Sequence, residues 1–210
     1  VDIEAATAAG IVVTNVPDVF IEEVADHAMM MLLAAGRRMK LMNRMAAEGN
    51  WWHGRPILSE VPRLYGQTLG LLAFGNVSRC MARRAKAFGM NIISHDPYLS
   101  ELTISESGVE PVSFNELLER SDYLSIHAPH NEDTHHIIDA SALAKMPNHS
   151  VLINSARGPL IDENALIDAL QKGEIAAAGL DVLEKEPPER DNPLRTMENV
   201  VVSPHVASAT

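Results

Sequence analysis

Short apolar runs alternate with amphipathic stretches along most of this chain. Leu69 to Phe74 is apolar at nearly every position, and Asn91–His95, Tyr123–Ala128, Val151–Ala156, Ala176–Val182 and Val200–Ser203 are further short apolar or β-branched runs. Strands that are apolar throughout suit burial on both faces, which a parallel sheet covered by helices provides. Helical patterns fall between them. One runs from Val77 to Phe88 after a glycine-containing turn, and Ser113 with Glu116 forms a capping-box pair before a short helix. Ser141 opens a helical turn, and Asp162 caps a helix that ends near Gly173. Toward the N-terminus, the β-branched run Ile11 to Val16, closed by Pro17, predicts a strand. A long helical pattern follows from about Glu22 to Glu48, with Val24, Ala28, Met31, Leu32 and Ala35 on one face, and Gly49 to Leu64 predicts a loop. The alternation predicts the α/β class, as a Rossmann-type doubly wound parallel sheet.

Composition narrows the function. A chain of 210 residues, 46% hydrophobic and 21% charged, suits one globular domain, or one domain plus part of another. Its formal net charge of −11 argues against a nucleic-acid or anionic membrane partner. No apolar run approaches the roughly 20 residues that cross a bilayer, so a soluble protein is expected. Arg37–Arg38 and Arg83–Arg84 lie in helical stretches and read as solvated faces. The single cysteine, Cys80, rules out a disulfide framework within the chain and fits a reducing, cytoplasmic setting. Its helical spacing with Val77, Met81 and Ala85 predicts a buried structural thiol. His127, His130, His135 and His136 are close in sequence, but one ends a strand and the last two lie in a polar turn, so no metal site is expected.

Leu69 to Asp96 reads strand, turn, helix, strand, acid. A dinucleotide fingerprint would place glycines at 73, 75 and 78, and the turn Ala73-Phe74-Gly75-Asn76-Val77-Ser78 has only the middle one. Gly75 lets the backbone approach a pyrophosphate. Ala73 can make the tight turn if its φ is negative, and Ser78 is small enough for close helix–strand packing. The amides of Asn76 and Val77 would open the helix onto the diphosphate. Asp96, 21 residues after Gly75, stands where an acid accepts bonds from the adenosine ribose hydroxyls and repels a 2′-phosphate. Pro97 and Tyr98 supply no cation, so NAD is favoured over NADP. The competing reading is that Asp96 only caps a strand before Pro97.

Three polar segments follow strand-like runs and bring Arg157, Glu186 and His205 toward the carboxyl edge of the sheet, where open α/β sheets bind ligands. A guanidinium holds a carboxylate bidentately. A histidine moves a proton near neutral pH, and an adjacent carboxylate orients it. These types suit interconversion of a 2-oxo and a 2-hydroxy acid.

The sequence resembles the NAD-dependent D-isomer-specific 2-hydroxyacid dehydrogenases over nearly its whole length. The likeness lies in Gly10-Ile11-Val12-Val13-Thr14-Asn15-Val16-Pro17, Val24-Ala25-Asp26-His27, Asn154-Ser155-Ala156-Arg157-Gly158, Gly179-Leu180-Asp181-Val182, Glu186-Pro187 and Ser203-Pro204-His205. The resemblance implies that Arg157 binds the substrate carboxylate and carbonyl and that His205, paired with Glu186, is the acid/base. It implies that Asp181 holds the nicotinamide carboxamide, Ala156 lines the nicotinamide pocket, and Pro129 and Thr134 flank the cofactor. Gly75, Asn76, Val77, Asp96, His127, Ala128, Ser155 and Ala207 complete the expected NAD site.

The resemblance also implies a division of the chain. Residues 1–19 would be a remnant of a flavodoxin-like substrate domain, 20–207 the NAD-binding domain, and 208–210 the start of a return. The backbone loop that helps hold the substrate carboxylate is expected to precede Val1, so this stretch alone is expected to bind NAD without turnover. A homodimer joined through the Met-rich helix and the Trp51–Trp52 loop is implied as well. A second branch, the C-terminal-binding-protein corepressors, offers an alternative: an NAD(H)-sensing interaction module. The segments Thr134–Ile138 and Trp52–Ile57 resemble that branch, but Val206-Ala207-Ser208 lacks the tryptophan its members carry there.

Overall fold

The computed structural model describes residues 1–16 and 19–209. Its elements, in chain order, are α1 (Ile3–Ala8), α2 (Ile21–Gly36), α3 (Met39–Ala47), α4 (Gly54–Ser59), β1 (Thr68–Leu72), α5 (Asn76–Ala87), β2 (Asn91–His95), α6 (Glu101–Ser105), β3 (Glu110–Pro111), α7 (Phe114–Arg120), β4 (Tyr123–Ile126), α8 (Ala140–Leu143), β5 (Val151–Asn154), α9 (Glu163–Lys172), β6 (Ala177–Leu180) and β7 (Val200–Val202). Among the described residues the strands form one sheet, ordered β3-β2-β1-β4-β5-β6-β7. All its pairs are parallel. The order reverses between β1 and β4, which is the switch point at which such sheets bind ligands.

Side chains alternate across the sheet as the pleat requires. Leu72, Leu124, Ile126, Leu152, Ala178 and Leu180 join one core, with α7, α8 and α9. Leu69, Leu71, Tyr123, Val151, Ile153 and Ala177 join the other, with α2 and α5. Both faces are therefore covered, the condition that made the strands apolar throughout. Local signals set the helix ends. Ser113 and Glu116 form the expected reciprocal capping box on α7. Asp162 accepts from the Ala165 amide at the start of α9, and Gly173, at φ 71°, ends it. An exposed ion-pair cluster joins α2 to α5: Glu22 meets both Arg83 and Arg84, and Arg84 also meets Asp26. Arg83, then Arg84, holds the Glu22 carboxyl down at about 2. The paired arginines thus clamp two helices, and Arg84 is largely covered.

Four expectations are corrected. The pattern from Glu22 to Glu48 is two helices, because Arg38 turns into the left-handed region at φ 50°. Gly36 packs so tightly on Tyr123 that a Cβ there would lie 2.8 Å from the ring. The stretch Ile11 to Val16 has no regular secondary structure, is exposed and pairs with no described strand; β-branched residues favour a strand only where a neighbouring edge is at hand. Its expected end at Pro17 lies outside the described residues. The loop from Gly49 contains a helix, α4. Cys80 is only partly buried, and its Sγ lies 3.4 Å from the Glu22 carboxylate. Burial, then that carboxylate, raises its pKa, so the thiol form is favoured.

Candidate active site

The parallel register brings the ends of six strands level. Leu72 is level with His95 on one side and Ile126 on the other, and Ile126, Asn154, Leu180 and Val202 follow across successive pairs. The next residue of each strand, Ala73, Asp96, His127, Ser155, Asp181 and Ser203, therefore enters one edge of the sheet. Nearly every site residue expected from sequence lies on these loops.

The first loop is the glycine turn. Ala73 has φ 69°, not the negative value that would have let alanine replace glycine without strain. Three bonds hold the turn in place. The Ala73 amide donates to the His95 carbonyl at 2.8 Å, and the Phe74 amide donates to Asp96 Oδ2 at 2.8 Å. Ser78 Oγ donates to the Ala73 carbonyl at 2.7 Å. Ser78 is thus both the small buried residue that packing requires and a tie across the turn. Gly75 caps α5 without any side-chain partner, and a Cβ there would meet nothing within 4 Å. The amides of the first turn of α5 consequently face open space, a donor set suited to a diphosphate. Asp96 also accepts from the Tyr98 amide at 2.9 Å. It is a turn organiser, and its half-exposed carboxylate stays beside the glycine turn.

Beside that turn lies a cavity of about 440 Å³ lined by Gly75, Asn76, Val77, Ser78, His127, Ser155, Arg157, Asp181, His205 and Ala207. A second, of about 570 Å³, shares Val77, His127, Ser155 and Arg157 and adds Ala128, Pro129 and Ala156. Together they make one cleft along the carboxyl edge. Ser155 Oγ is buried on this cleft and has no hydrogen-bond partner among the described residues. A buried unpaired hydroxyl signals a partner that binds there. The open glycine face, the free helix amides and this hydroxyl fit a dinucleotide. Thr134 is placed differently from the other expected residues. Its hydroxyl donates to the Pro129 carbonyl at 2.7 Å and closes the 129–134 turn, so it shapes the cleft rim instead of forming the wall.

Two buried polar side chains hold the reactive loops. Asn154 Nδ2 donates to the Arg157 carbonyl at 2.9 Å, and its Oδ1 accepts from the Ala156 amide at 3.0 Å. This leaves the Arg157 side chain exposed at the cleft. Asp181, 1% exposed, accepts from Ser203 Oγ at 2.6 Å, from the Val206 amide at 3.0 Å and from the Ala207 amide at 2.9 Å. Its carboxylate is therefore turned into the protein as the anchor of the 203–207 loop. The side chain is fully covered, while the residue still lines the cleft.

On the anchored loop His205 adopts φ 53° and its Nδ1 lies 2.7 Å from Glu186 Oε2. The other oxygen of Glu186 accepts from the Leu183 amide at 3.0 Å, which fixes the carboxylate. Both side chains remain partly exposed, 47% for His205 and 37% for Glu186. With Nδ1 engaged, Nε2 is the ring atom left to exchange a proton. Gly158 makes the site possible sterically, since a Cβ there would lie 1.9 Å from the Leu183 carbonyl oxygen. Among the described residues no group of three His, Cys, Asp or Glu side chains could hold a metal, and no helix is long and apolar enough to cross a membrane.

Sequence reasoning did not single out three residues. Asn154 entered only as part of a motif, although a buried asparagine at a strand end is itself a signal for a pinned turn. His27 also entered only as part of a motif; its Nε2 reaches Ser203 Oγ at 2.8 Å across 176 positions of sequence, a contact that no local pattern shows. Arg79 lies 4.8 Å over the Phe74 ring and donates to Ser107, which places a cation near the glycine turn.

The strand order, the open glycine turn and the strand-end loops define a dinucleotide-binding α/β domain. Residues 29–207 match the family model of the D-isomer specific 2-hydroxyacid dehydrogenase, NAD binding domain. The chain belongs to that family, whose cofactor is NAD. It is 44% identical over 213 residues to a glyoxylate reductase of Korarchaeum cryptofilum, covering 100% of this chain and 64% of the relative. It is 43% identical over 211 residues to a D-3-phosphoglycerate dehydrogenase of Methanocaldococcus jannaschii, covering 100% of this chain and 40% of the relative. The crystal structure of a D-lactate dehydrogenase from Aquifex aeolicus, complexed with NAD and lactic acid, superposes with a TM-score of 0.90 at 32% identity. That match covers 100% of this chain and 67% of the solved one. The chain thus spans 64% and 40% of the lengths of these two relatives.

Two predictions follow from the site's conformation and burial. The left-handed region costs an L-residue roughly 1–2 kcal/mol, while glycine's unfolded-state freedom costs about 0.4–1 kcal/mol. Ala73→Gly should therefore raise stability by about 0.5–1 kcal/mol, read as a higher urea midpoint; a lower midpoint would show that the turn carries no strain. Burial pushes the His127 imidazole down to about 4. The unfolded chain then binds the proton first as pH falls. Stability due to a neutral His127 is full above its unfolded value and is lost as pH drops toward about 4. Because the residue keeps some accessible surface, the loss is at most about 1.4 kcal/mol per pH unit. Urea unfolding at about pH 7 and about pH 5 should show a smaller difference for His127→Leu than for the parent protein.

Proposed function

We propose that the protein is an NAD-dependent oxidoreductase that interconverts a small 2-oxo acid and the corresponding D-2-hydroxy acid. The observation that carries this reading is His205, its Nδ1 held 2.7 Å from Glu186 Oε2, on the same cleft as Arg157 and the glycine turn. The amides of Asn76 and Val77 bind the cofactor diphosphate, Asp96 the adenosine ribose, and Ser155 Oγ a polar group of the cofactor. His127, Ala128, Pro129, Ala156 and Ala207 line its path, with Thr134 holding the rim. When bound, NADH supplies the hydride that reduces the oxo carbon. Arg157 holds the carboxylate of the acid and polarises its carbonyl. His205 gives the proton on Nε2 to the developing alkoxide, and Glu186 keeps the ring oriented and stabilises the charge it carries beforehand. Asp181 serves by anchoring the His205 loop.

Residues 1–19 belong, in this proposal, to a second, substrate-binding domain, with 20–207 forming the cofactor domain and 208–210 returning toward the second. The exposure of Ile11, Val12 and Val16 supports it, since apolar side chains in a row suit a covered surface. Thr210 lies outside the described residues. The protein is further proposed to be a cytoplasmic homodimer joined through α2, α3 and the following loop. Trp51 and Trp52, 74% and 77% exposed, support that face.

In the protein with both domains, His205→Ala should lower kcat for reduction of glyoxylate, hydroxypyruvate or pyruvate by about 100- to 10,000-fold and leave NADH affinity intact. Arg157→Ala should chiefly remove use of the acid. Wild-type kcat in His205→Ala would refute the assignment. Asp96→Ala should narrow the NAD-over-NADP preference, and unchanged discrimination would remove Asp96 from the ribose site. Trp51→Glu with Trp52→Glu should shift the protein to a monomer in sedimentation velocity; a dimer that persists would place the interface elsewhere.

A further inference from the structure

We infer that His27, on α2, is a positioning residue for His205 and acts through Ser203 and Asp181. Its effect on turnover rests on the function proposed above; its effect on the loop does not. The inference starts from the direction of the hydrogen bonds. Ser203 Oγ donates its only proton to Asp181 Oδ1 at 2.6 Å. The contact between Ser203 Oγ and His27 Nε2, at 2.8 Å, must then be donated by the imidazole. The same Nε2 lies 3.2 Å from Asp181 Oδ1, which also requires a proton on that nitrogen. His27 therefore presents N–H at Nε2, and this proton forces the serine hydroxyl onto the carboxylate.

The carboxylate in turn receives the Val206 and Ala207 amides. The His205 amide donates to the Asp181 carbonyl at 2.8 Å. These bonds bracket His205, whose φ of 53° is one an L-residue leaves unless its neighbours hold it. Remove the donor on α2 and the serine hydroxyl is free to rotate, Asp181 loses two contacts, and the bracket loosens. The imidazole then drifts from Glu186. His27 touches neither side of the reaction, so the expected defect is one of placement.

Three variants test this. His27→Leu removes the donor, His27→Gln keeps an N–H at similar reach, and Ser203→Ala cuts the relay should His27→Leu fail to fold. Hydrogen exchange at the Val206 and Ala207 amides should quicken about tenfold in His27→Leu and in Ser203→Ala, and His27→Gln should recover most of the protection. In the protein with both domains, turnover of the 2-oxo acid should fall about 10- to 100-fold in the first two, with the affinity for NADH unchanged. The double variant should be no worse than either single one, because both break one relay. Unchanged exchange in His27→Leu, or strictly additive effects of the two changes, would overturn the inference. If the parent protein reduces no 2-oxo acid while His27→Leu still quickens exchange, the proposed function fails and the anchoring of the loop by His27 stands.

Discussion

Parallel pairing in one common register is the constraint on which the rest of this molecule depends. Because Leu72, His95, Ile126, Asn154, Leu180 and Val202 end their strands level with one another, the chain leaves the sheet six times along a single edge. A one-residue slip in any pair would turn a strand's side chains to the opposite face and displace its loop. The two apolar cores prevent this. Each strand interdigitates with helices on both sides, so its register is over-determined.

Register alone does not place a reactive side chain, because the loops beyond the strands have no ladder to hold them. Polar side chains at the strand ends do that work here. Asp96 ties the glycine turn, Asn154 the Arg157 loop, and Asp181 the His205 loop. In each, an acceptor at or just beyond a strand end collects amides that the loop would otherwise leave unpaired. Strain collects at two of the same places. Ala73 and His205 both have positive φ, and each is bracketed by such bonds. The site is thus rigid where it must align groups, and open at Gly75 and along the cleft where a ligand must approach.

Much of this was legible in the chain. Six strands were found because burial on both faces leaves a run of apolar residues, which is a strong signal even without alternation. The two-residue β3, at Glu110–Pro111, was too short to leave one. The helix caps at Ser113 and Asp162 were legible because their chemistry is local. The stretch Ile11 to Val16 looked like a strand, yet propensity cannot supply a partner edge. The break at Arg38 was hidden because hydrophobic periodicity continues through it, and its setting includes the contact of Gly36 with Tyr123, far away in sequence.

The sequence by itself determined the α/β class, the strand–turn–helix–strand–acid unit, and the types of residue that meet at the strand ends. All three follow from patterns carried by neighbouring positions. Only the tertiary structure decided that Ala73 adopts a strained turn, that Thr134 closes a loop instead of lining the cleft, and that Asp181 turns inward to anchor the His205 loop. It also decided that His27 completes that anchor. These depend on which groups become neighbours once the chain is packed, and on how a fixed number of donors and acceptors is shared among them.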